Sequence, residues 1–210
     1  MRLSNSHRQF LIRATNQYAS HIAQAQDYLA TRHLSVDEAK VFHLGLVVDP
    51  LPGHERFQGR LAIPYVTPSG VVDIRFRDIT GEADAKYMGM VGAETTMFNT
   101  QAVFAATKYI CVTEGEFDCI VMSVKTGHPT VGIPGANNWK PHYSRILDDF
   151  DVVMVLADGD KAGMEFGKKI TRELPNANVI QMPDGEDVNS TYIKLGKDWI
   201  NERVRDCITA

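Results

Sequence analysis

Three acidic clusters follow one another along the chain, and their residue types are those of a site that binds a hard cation. They are Glu114-Gly-Glu-Phe-Asp118, Asp158-Gly-Asp160 and Asp184-Gly-Glu-Asp187. Carboxylates brought to one place repel one another unless a cation neutralises them. Mg²⁺ is held in proteins by a few carboxylates together with water and substrate phosphate. The clusters therefore predict a divalent-metal site that acts on phosphates.

The first two clusters each come directly after a short apolar segment with the character of a β-strand. Tyr109–Thr113 precedes Glu114, and Asp151–Ala157 precedes Asp158. A carboxylate at the end of a parallel strand lies at the carboxyl edge of the sheet, where ligands bind in open α/β sheets. We therefore expect the two clusters to meet at one edge.

From Ala105 onward, predicted strands alternate with predicted helices, which favours a parallel sheet covered by helices on both faces. The strands are predicted at Tyr109–Thr113, Pro129–Ile133, Val152–Ala157 and Asn178–Gln181. The helices are predicted at Glu116–Thr126, Lys140–Asp148, Lys161–Leu174 and from Asn189 onward.

The chain before residue 105 has a mixed character. Apolar residues at helical spacing predict a helix from Arg8 to Thr31. Ser35 and Glu38 form a capping-box pattern that starts a short helix at Val36–Phe42, which Gly45 is expected to end. Further along, a β-hairpin and then a loop with two residues of interest are predicted: Arg60–Val66, Val71–Arg77 and Lys86-Tyr87. We predict an N-terminal α+β subdomain at 1–104, the sheet domain at 105–188 and a helical tail at 189–210.

Each acidic cluster also has a purely structural interpretation. Glu116 and Asp118 can complement the dipole of the helix that they begin. Asp160 can cap the next helix, and Asp184–Asp187 can be a solvated turn. These interpretations explain single residues, but they do not explain carboxylates at the ends of two buried strands.

Composition argues against several classes of protein. The chain has 210 residues and a formal net charge of −4, which does not favour tight, sequence-independent DNA binding. Its three cysteines are too few for a disulfide framework or a four-cysteine zinc site. No apolar run approaches the ~20 residues of a membrane span, and the N-terminus lacks the apolar core of a signal peptide. We expect a cytoplasmic protein.

The order of the clusters resembles the TOPRIM domain shared by DnaG-type primases, type IA and II topoisomerases and some nucleases. Glu114, Asp158 and Asp160 match its glutamate and its Asp-x-Asp. The flanking residues are similar to those of DnaG-type primases in particular. The segments with this similarity include Val112–Asp118 (V-x-E-G-x-x-D), Leu156–Gly163 (F-D-x-D-x-A-G), Asp184–Asp187 (D-G-x-D-P-D) and Arg60–Pro64 (R-x-x-F-P-I). Weaker similarity extends to Tyr28–Arg32, Leu34-Ser35, Phe42–Gly45, Arg77 and Lys86-Tyr87.

The resemblance implies a fold, an activity and a set of site residues. The fold is an α/β TOPRIM-type parallel sheet flanked by helices, preceded by a mixed α+β subdomain. The activity is RNA primer synthesis from ribonucleoside triphosphates on a single-stranded DNA template, with Mg²⁺ or Mn²⁺ as cofactor. Glu114, Asp158 and Asp160 are the implied catalytic residues, and with Asp118 and Asp187 they are the implied metal ligands. The implied nucleotide- or template-binding residues are Arg60, Arg75, Arg77, Lys86 and Tyr87. Trp139, after a turn predicted at residues 135–138, is a further candidate for stacking on a base.

The chain also departs from the family pattern. No zinc domain precedes the core, Asn189 stands where the family has a further aspartate, and little chain follows the TOPRIM segment. These features favour a minimal, monomeric primase core from a phage or another mobile element, located in the host cytoplasm if a phage encodes it. A replicative helicase and a separate zinc-binding protein are its expected partners. Two alternatives stay open: a TOPRIM nuclease that uses the same metals to activate water, and a nonenzymatic replication module.

Overall fold

The computed structural model describes residues 3–135 and 138–209, and the chain divides into two compact units between Glu94 and Thr95. The sequence places the change of character later, at residue 105. The segment between the two positions belongs to the second unit because Phe98 forms a β-bridge with Gly132 and because a short helix, α4, covers Gln101–Ala105. The turn predicted at residues 135–138 includes two residues that lie outside the described ranges.

The first unit begins with helices: α1 at Asn5–Ala19, a 3₁₀ turn at Ile22–Ala25, α2 at Gln26–Thr31 and α3 at Val36–Val41. The single helix predicted from Arg8 to Thr31 is therefore interrupted after Ala19. Ser20 follows α1, and its Oγ donates to the carbonyl oxygen of Gln17 at 2.6 Å. A side-chain hydroxyl that bonds to the backbone of the last turn offers the chain an alternative to continuing the helix.

The predicted start of α3 is confirmed, and its end lies one residue before the predicted Phe42, but Gly45 does not end it. Ser35 Oγ accepts from the N–H of Glu38 at 3.2 Å, and the Glu38 carboxylate accepts from the N–H of Ser35 at 2.8 Å. The helix ends at Val41, and His43 takes a positive φ of 54°. Gly45 instead lies in β1, where an added Cβ would come 2.3 Å from the carbonyl carbon of Tyr18. Glycine at 45 therefore allows β1 to approach α1 closely.

An antiparallel sheet follows in the order β1-β2-β3-β4, with strands at Gly45–Leu46, Leu61–Thr67, Gly70–Arg77 and Tyr87–Met88. The predicted hairpin of β2 and β3 is confirmed. Part of the predicted loop forms β4, which pairs Arg77 with Tyr87. The apolar side of this sheet packs on α1, and the rings of Phe57 and Phe76 stack at 3.9 Å between centroids in the core.

The second unit contains a parallel sheet in the order β6-β5-β7-β8. Its strands are β5 Tyr109–Thr113, β6 Thr130–Gly132, β7 Val152–Ala157 and β8 Ala177–Gln181. After α4 its helices are α5 Glu116–Val121, α6 Pro141–Leu147, α7 Lys161–Glu173 and α8 Val188–Thr209. A π-helical turn extends α5 through Met122–Thr126, and α8 is broken at Gly196. No helix within residues 3–135 and 138–209 is long and apolar enough to cross a membrane.

Apolar residues cover both faces of the parallel sheet, as the alternation of strands and helices predicts. On one face, Val112 and Val155 pack in a cluster with Phe166 and Ile170 of α7. On the other face, Met154 and Leu156 pack in a cluster with Ile200 and Val204 of α8. Neighbouring residues of each strand point to opposite faces, so the two clusters fix the register of the sheet. The strand ends that carry the acidic residues are fixed with it.

Candidate active site

Glu114 and Asp158 lie at the ends of neighbouring parallel strands. β5 and β7 pair in register up to Thr113 and Leu156, so both strands end at the same edge of the sheet. The backbone N–H of Asp158 donates to Oε1 of Glu114 at 3.3 Å. The first two acidic clusters, which are 44 residues apart in the sequence, are thus in contact.

The second and third clusters are joined through their backbones. The N–H of Gly159 donates to the carbonyl oxygen of Glu186 at 2.8 Å, and the N–H of Gly185 donates to that of Gly159 at 2.7 Å. A Cβ added at Gly159 would lie only 1.8 Å from the carbonyl oxygen of Pro183. Glycine is therefore required at 159 for the two loops to come this close.

Asp160 and Asp187 both cap helices. Asp160 precedes α7, and its Oδ1 accepts from the N–H of Gly163 at 2.8 Å. Asp187 precedes α8, and its Oδ1 accepts from the N–H of Ser190 at 2.6 Å. The capping interpretation of Asp160 is thereby confirmed, although each cap uses one carboxylate oxygen and does not exclude binding of a ligand through the other. The caps also fix the direction of both side chains.

Asp118 connects α5 to the start of α8. Its side chain is 7% exposed, and its Oδ1 accepts from the backbone N–H of Asn189 at 3.0 Å. This hydrogen bond joins the first acidic cluster to the helix start that directly follows the third, across 71 residues of sequence. The structure therefore links the loops and helix ends that carry the five predicted ligands Glu114, Asp118, Asp158, Asp160 and Asp187.

The charges of the neighbouring carboxylates affect the protonation of Asp158 and Glu114. Burial raises the pKa of Asp158 to about 8, with further contributions from Asp118, Glu114, Asp187 and Asp160. Burial and the charge of Asp160 also raise the pKa of Glu114, against a hydrogen bond from the Asp158 backbone. Oδ1 of Asp158 is buried and has no hydrogen-bond partner. Burial and the neighbouring charges therefore favour the neutral form of Asp158, and a bound cation would favour the charged form.

The donor set suits a hard divalent cation, because all five side chains offer carboxylate oxygens. The unpartnered Oδ1 of Asp158 is a buried acceptor that a cation would satisfy. Within residues 3–135 and 138–209, however, no three His, Cys, Asp or Glu side chains are gathered closely enough to hold a metal ion as they stand. Hydrogen bonds between the backbones and side chains of these loops nevertheless hold the segments that carry the five side chains together.

A cleft of about 440 Å³ opens beside these loops. Its lining combines both acidic loops with the first turns of α8: Asp158, Gly159, Asp160, Gly185, Glu186, Asp187, Ser190 and Lys194. Sequence reasoning did not single out Glu186, Ser190 or Lys194. Helical spacing was the available signal, since Ser190 and Lys194 follow Asp187 by about one and two turns of α8. Lys194 Nζ forms an ion pair with Glu186 Oε1.

In the first unit, two of the predicted phosphate-binding arginines are buried and form hydrogen bonds within the protein. Arg60 is 9% exposed, and its Nη1 donates to the carbonyl oxygen of Ala85 at 2.9 Å. Arg77 is 5% exposed, and its Nη1 donates to the hydroxyl of Tyr87 at 2.5 Å. Both arginines therefore hold the segment around β4.

The other predicted basic residues of the first unit are more accessible. Arg75 is half-buried, and its guanidinium carbon lies 4.5 Å from the centre of the Tyr87 ring. The guanidinium carbon of Arg77 lies 5.1 Å from the centre of the same ring, so two cations are close to one aromatic side chain. Lys86 is exposed. The structure thus brings Arg75, Arg77 and Tyr87 together and places Lys86 next to them in the chain.

Residues 111–192 match the Toprim-like family. The chain is 43% identical to the Gene 57 protein of Mycobacterium phage D29 over 153 residues, which are 70% of this chain and 99% of that protein. It is 25% identical over 174 residues to a DNA primase of Buchnera aphidicola, which covers 74% of this chain. The matched region is 30% of the length of that primase.

Solved structures show the same architecture. A DnaG catalytic core aligns with a TM-score of 0.79 at 19% identity, covering 95% of this chain and 79% of that core. A DnaG primase catalytic domain bound to single-stranded DNA aligns with a TM-score of 0.76 at 19% identity, covering 96% of this chain and 80% of that domain. The chain therefore belongs to the family of the phage D29 Gene 57 protein, and its fold is that of a DnaG-type primase catalytic core with a Toprim-like domain.

Proposed function

We propose that this protein synthesises RNA primers on single-stranded DNA by metal-dependent nucleotidyl transfer. The observation that carries the proposal is the environment of Asp158. Its Oδ1 is buried without a hydrogen-bond partner, and burial and four surrounding carboxylates raise its pKa to about 8. A fold without a use for a cation gains nothing from this arrangement, because each added charge disfavours the others. The DnaG-type core fold and the family membership support the same activity.

In the proposed reaction, the 3′ hydroxyl of one nucleotide attacks the α-phosphate of the next and pyrophosphate leaves. Asp158 and Asp160 would hold Mg²⁺ or Mn²⁺, with Asp118 and Asp187 completing the set. Glu114 would be either a further ligand or the general base that takes the proton of the attacking hydroxyl. When bound, a divalent cation lowers the pKa of the attacking hydroxyl and neutralises charge on the transferring phosphoryl group.

The protein's own contribution is to hold these carboxylates in place before substrate arrives. The caps made by Asp160 and Asp187 fix two side chains on helix ends. The N–H of Asp158 orients Glu114, and the backbone bonds of Gly159 hold the loops together. Such preorganised charge is usually the largest single term in enzymatic stabilisation of a transition state.

The first unit would bind the nucleotide or the template. In this proposal Arg75 and Lys86 contact phosphates, because the Lys86 side chain is exposed and that of Arg75 is half-buried. Arg60 and Arg77 keep their proposed binding role and also shape the segment from Ala85 to Tyr87 through their hydrogen bonds. The single-stranded DNA in the related DnaG structure supports a DNA template here. A replicative helicase and a separate zinc-binding protein stay proposed partners in a phage-infected cell.

A primer-synthesis assay tests the proposal. The full chain is incubated with single-stranded DNA of mixed sequence, labelled ribonucleotides and Mg²⁺ or Mn²⁺, and the RNA products are separated by length. We expect labelled oligoribonucleotides from the wild type and from the control variant Asp184→Asn. Asp184 is an exposed carboxylate of the third acidic cluster and lies outside the proposed ligand set. Asp158→Asn should lose the product by at least about a hundredfold, the scale of losing one electrostatic contribution.

The alternative nuclease is tested in parallel by labelling the DNA and leaving out the ribonucleotides. Metal-dependent shortening of the DNA with no RNA product would replace primer synthesis by the nuclease. No product from either arm, with metal binding intact, would favour the nonenzymatic replication module.

A further inference from the structure

Lys194 lies in the cleft beside the acidic loops and has no role in the site described so far. It lines the cleft together with Asp158, Asp160 and Asp187. Among the described residues that line this cleft, Lys194 is the only cation. Its side chain is 61% exposed, whereas that of its partner Glu186 is 18% exposed. The ammonium group is therefore open to a ligand that enters from solvent.

The position of Lys194 is tied to the acidic loops. Its partner Glu186 accepts through the main-chain oxygen from Gly159, the residue between Asp158 and Asp160. Ser190, one helical turn before Lys194, exchanges hydrogen bonds with Asp187 at 2.9 Å and 2.6 Å. Lys194 thus extends from a helix whose first turn is fixed to the candidate metal ligands.

The chemistry of the ammonium group favours a phosphate ligand. Lysine offers three donors and a compact charge, and hydrogen bonds between ionised groups are the stronger ones. Ion pairs open to solvent contribute only about 0–1 kcal/mol, so a ligand with several negative charges can compete with Glu186. We propose that Lys194 binds oxygens of the polyphosphate that enters this cleft, either a nucleoside triphosphate or released pyrophosphate, and that Glu186 holds the ammonium in the ligand-free state. The inference rests on the proposed function, because it assumes a phosphate substrate at these carboxylates.

A counterion role is the competing explanation, and it predicts a different result. If Lys194 merely offset the carboxylates, its removal would strengthen binding of divalent cations and leave polyphosphate binding unchanged. If Lys194 is a phosphate ligand, its removal weakens polyphosphate binding. The two roles differ in which ligand responds.

The test is calorimetric titration of the full chain with inorganic pyrophosphate in the presence of Mg²⁺, together with a titration of Mg²⁺ alone. We expect Lys194→Met to weaken pyrophosphate binding by about tenfold or more, the equivalent of one charged hydrogen bond. Lys194→Arg should retain most of the affinity. Lys197→Met, which removes an exposed lysine beyond the break in α8, should match the wild type. Glu186→Gln should bind pyrophosphate as tightly as the wild type or more tightly, because it removes the competitor.

The outcomes separate this inference from the proposed function. If the wild type binds pyrophosphate with Mg²⁺ and Lys194→Met binds it equally well, Lys194 is not a phosphate ligand and the metal site stands. Equal weakening by Lys194→Met and Glu186→Gln would make the pair a structural one and would also overturn the inference. If the wild type shows no Mg²⁺-dependent binding, the proposed metal site fails and the role of Lys194 fails with it.

Discussion

At the scale of single residues, Asp158 shows how a functional carboxylate differs from a structural one. Asp160 and Asp187 accept hydrogen bonds from helix N-termini, whereas Oδ1 of Asp158 is buried without a partner. A buried carboxylate that lacks partners is held in its neutral form by desolvation. The protein therefore carries a local instability that a bound cation would remove.

This instability predicts an unusual dependence of stability on pH. The pKa of Asp158 is raised to about 8 in the folded state, whereas an unfolded aspartate titrates near ~3.9. Between these values the folded state binds more protons than the unfolded state, so stability falls as the pH rises. Asp158→Asn removes the titration, and at pH 8.5 without metal it should unfold with a free energy higher than the wild type by on the order of 2 kcal/mol after solvent screening.

Urea unfolding at pH 5 and pH 8.5, with and without Mg²⁺, measures the effect. The difference between the variant and the wild type should be smaller at pH 5 than at pH 8.5, because at pH 5 less of the interval between the unfolded and folded pKa values of Asp158 has been crossed. Mg²⁺ should stabilise the wild type more than the variant. A variant less stable than the wild type at both pH values would show that Asp158 supports the fold.

At the scale of elements, tight backbone contacts decide where the carboxylates go. Gly159 lies between the two acidic loops, and its missing side chain allows the hydrogen bonds that join them. The same principle applies to Gly45, which lets β1 approach α1. In each case a glycine with an ordinary φ is required by a neighbouring backbone and not by its own dihedral angles.

Gly159→Ala should accordingly separate the loops. A Cβ placed 1.8 Å from the carbonyl oxygen of Pro183 forces the backbone to move, and we expect a loss of about 3 kcal/mol or more in stability. Divalent-cation binding should weaken as well. Gly89→Ala is the matched control, because a Cβ there meets nothing within 4 Å. Thermal unfolding and Mn²⁺ titration of both variants provide the comparison, and equal behaviour of the two would contradict the proposed role of the contact.

The secondary-structure elements could be predicted well from the sequence where local chemistry determines them. The four strands of the parallel sheet and the capping box of Ser35 and Glu38 were predictable, because apolar runs and caps are local signals. β4 was missed since two residues, Tyr87 and Met88, are strand only through pairing with β3. Lys194 was missed because its place in the cleft depends on how α8 meets loops that are distant in the sequence.

At the scale of the whole molecule, the chain consists of two units that divide between Glu94 and Thr95. The second unit has hydrophobic clusters on both faces of its sheet and contains all five candidate ligands. A sheet covered on both faces has the core that independent folding requires. The candidate metal site and the predicted nucleotide-binding residues are thus encoded in separate stretches of sequence.

A fragment that begins at Thr95 should therefore fold cooperatively and bind Mn²⁺ without making primers. Mn²⁺ should raise its thermal midpoint, and the same fragment with Asp158→Asn should show a much smaller rise. Primer synthesis should require the full chain, because the fragment lacks Arg75, Lys86 and Tyr87. A fragment that stays unfolded in the presence of Mn²⁺ would show that the second unit depends on the first.

The hydrogen bond between Asp118 and Asn189 shows that position 189 contributes to the site through its backbone. The donor is the main-chain N–H, which every amino acid except proline supplies. This link between α5 and α8 therefore does not depend on the carboxylate that the family has at this position. Comparison of sequences shows position 189 as a lost ligand, whereas the structure shows that its backbone still donates a hydrogen bond to Asp118.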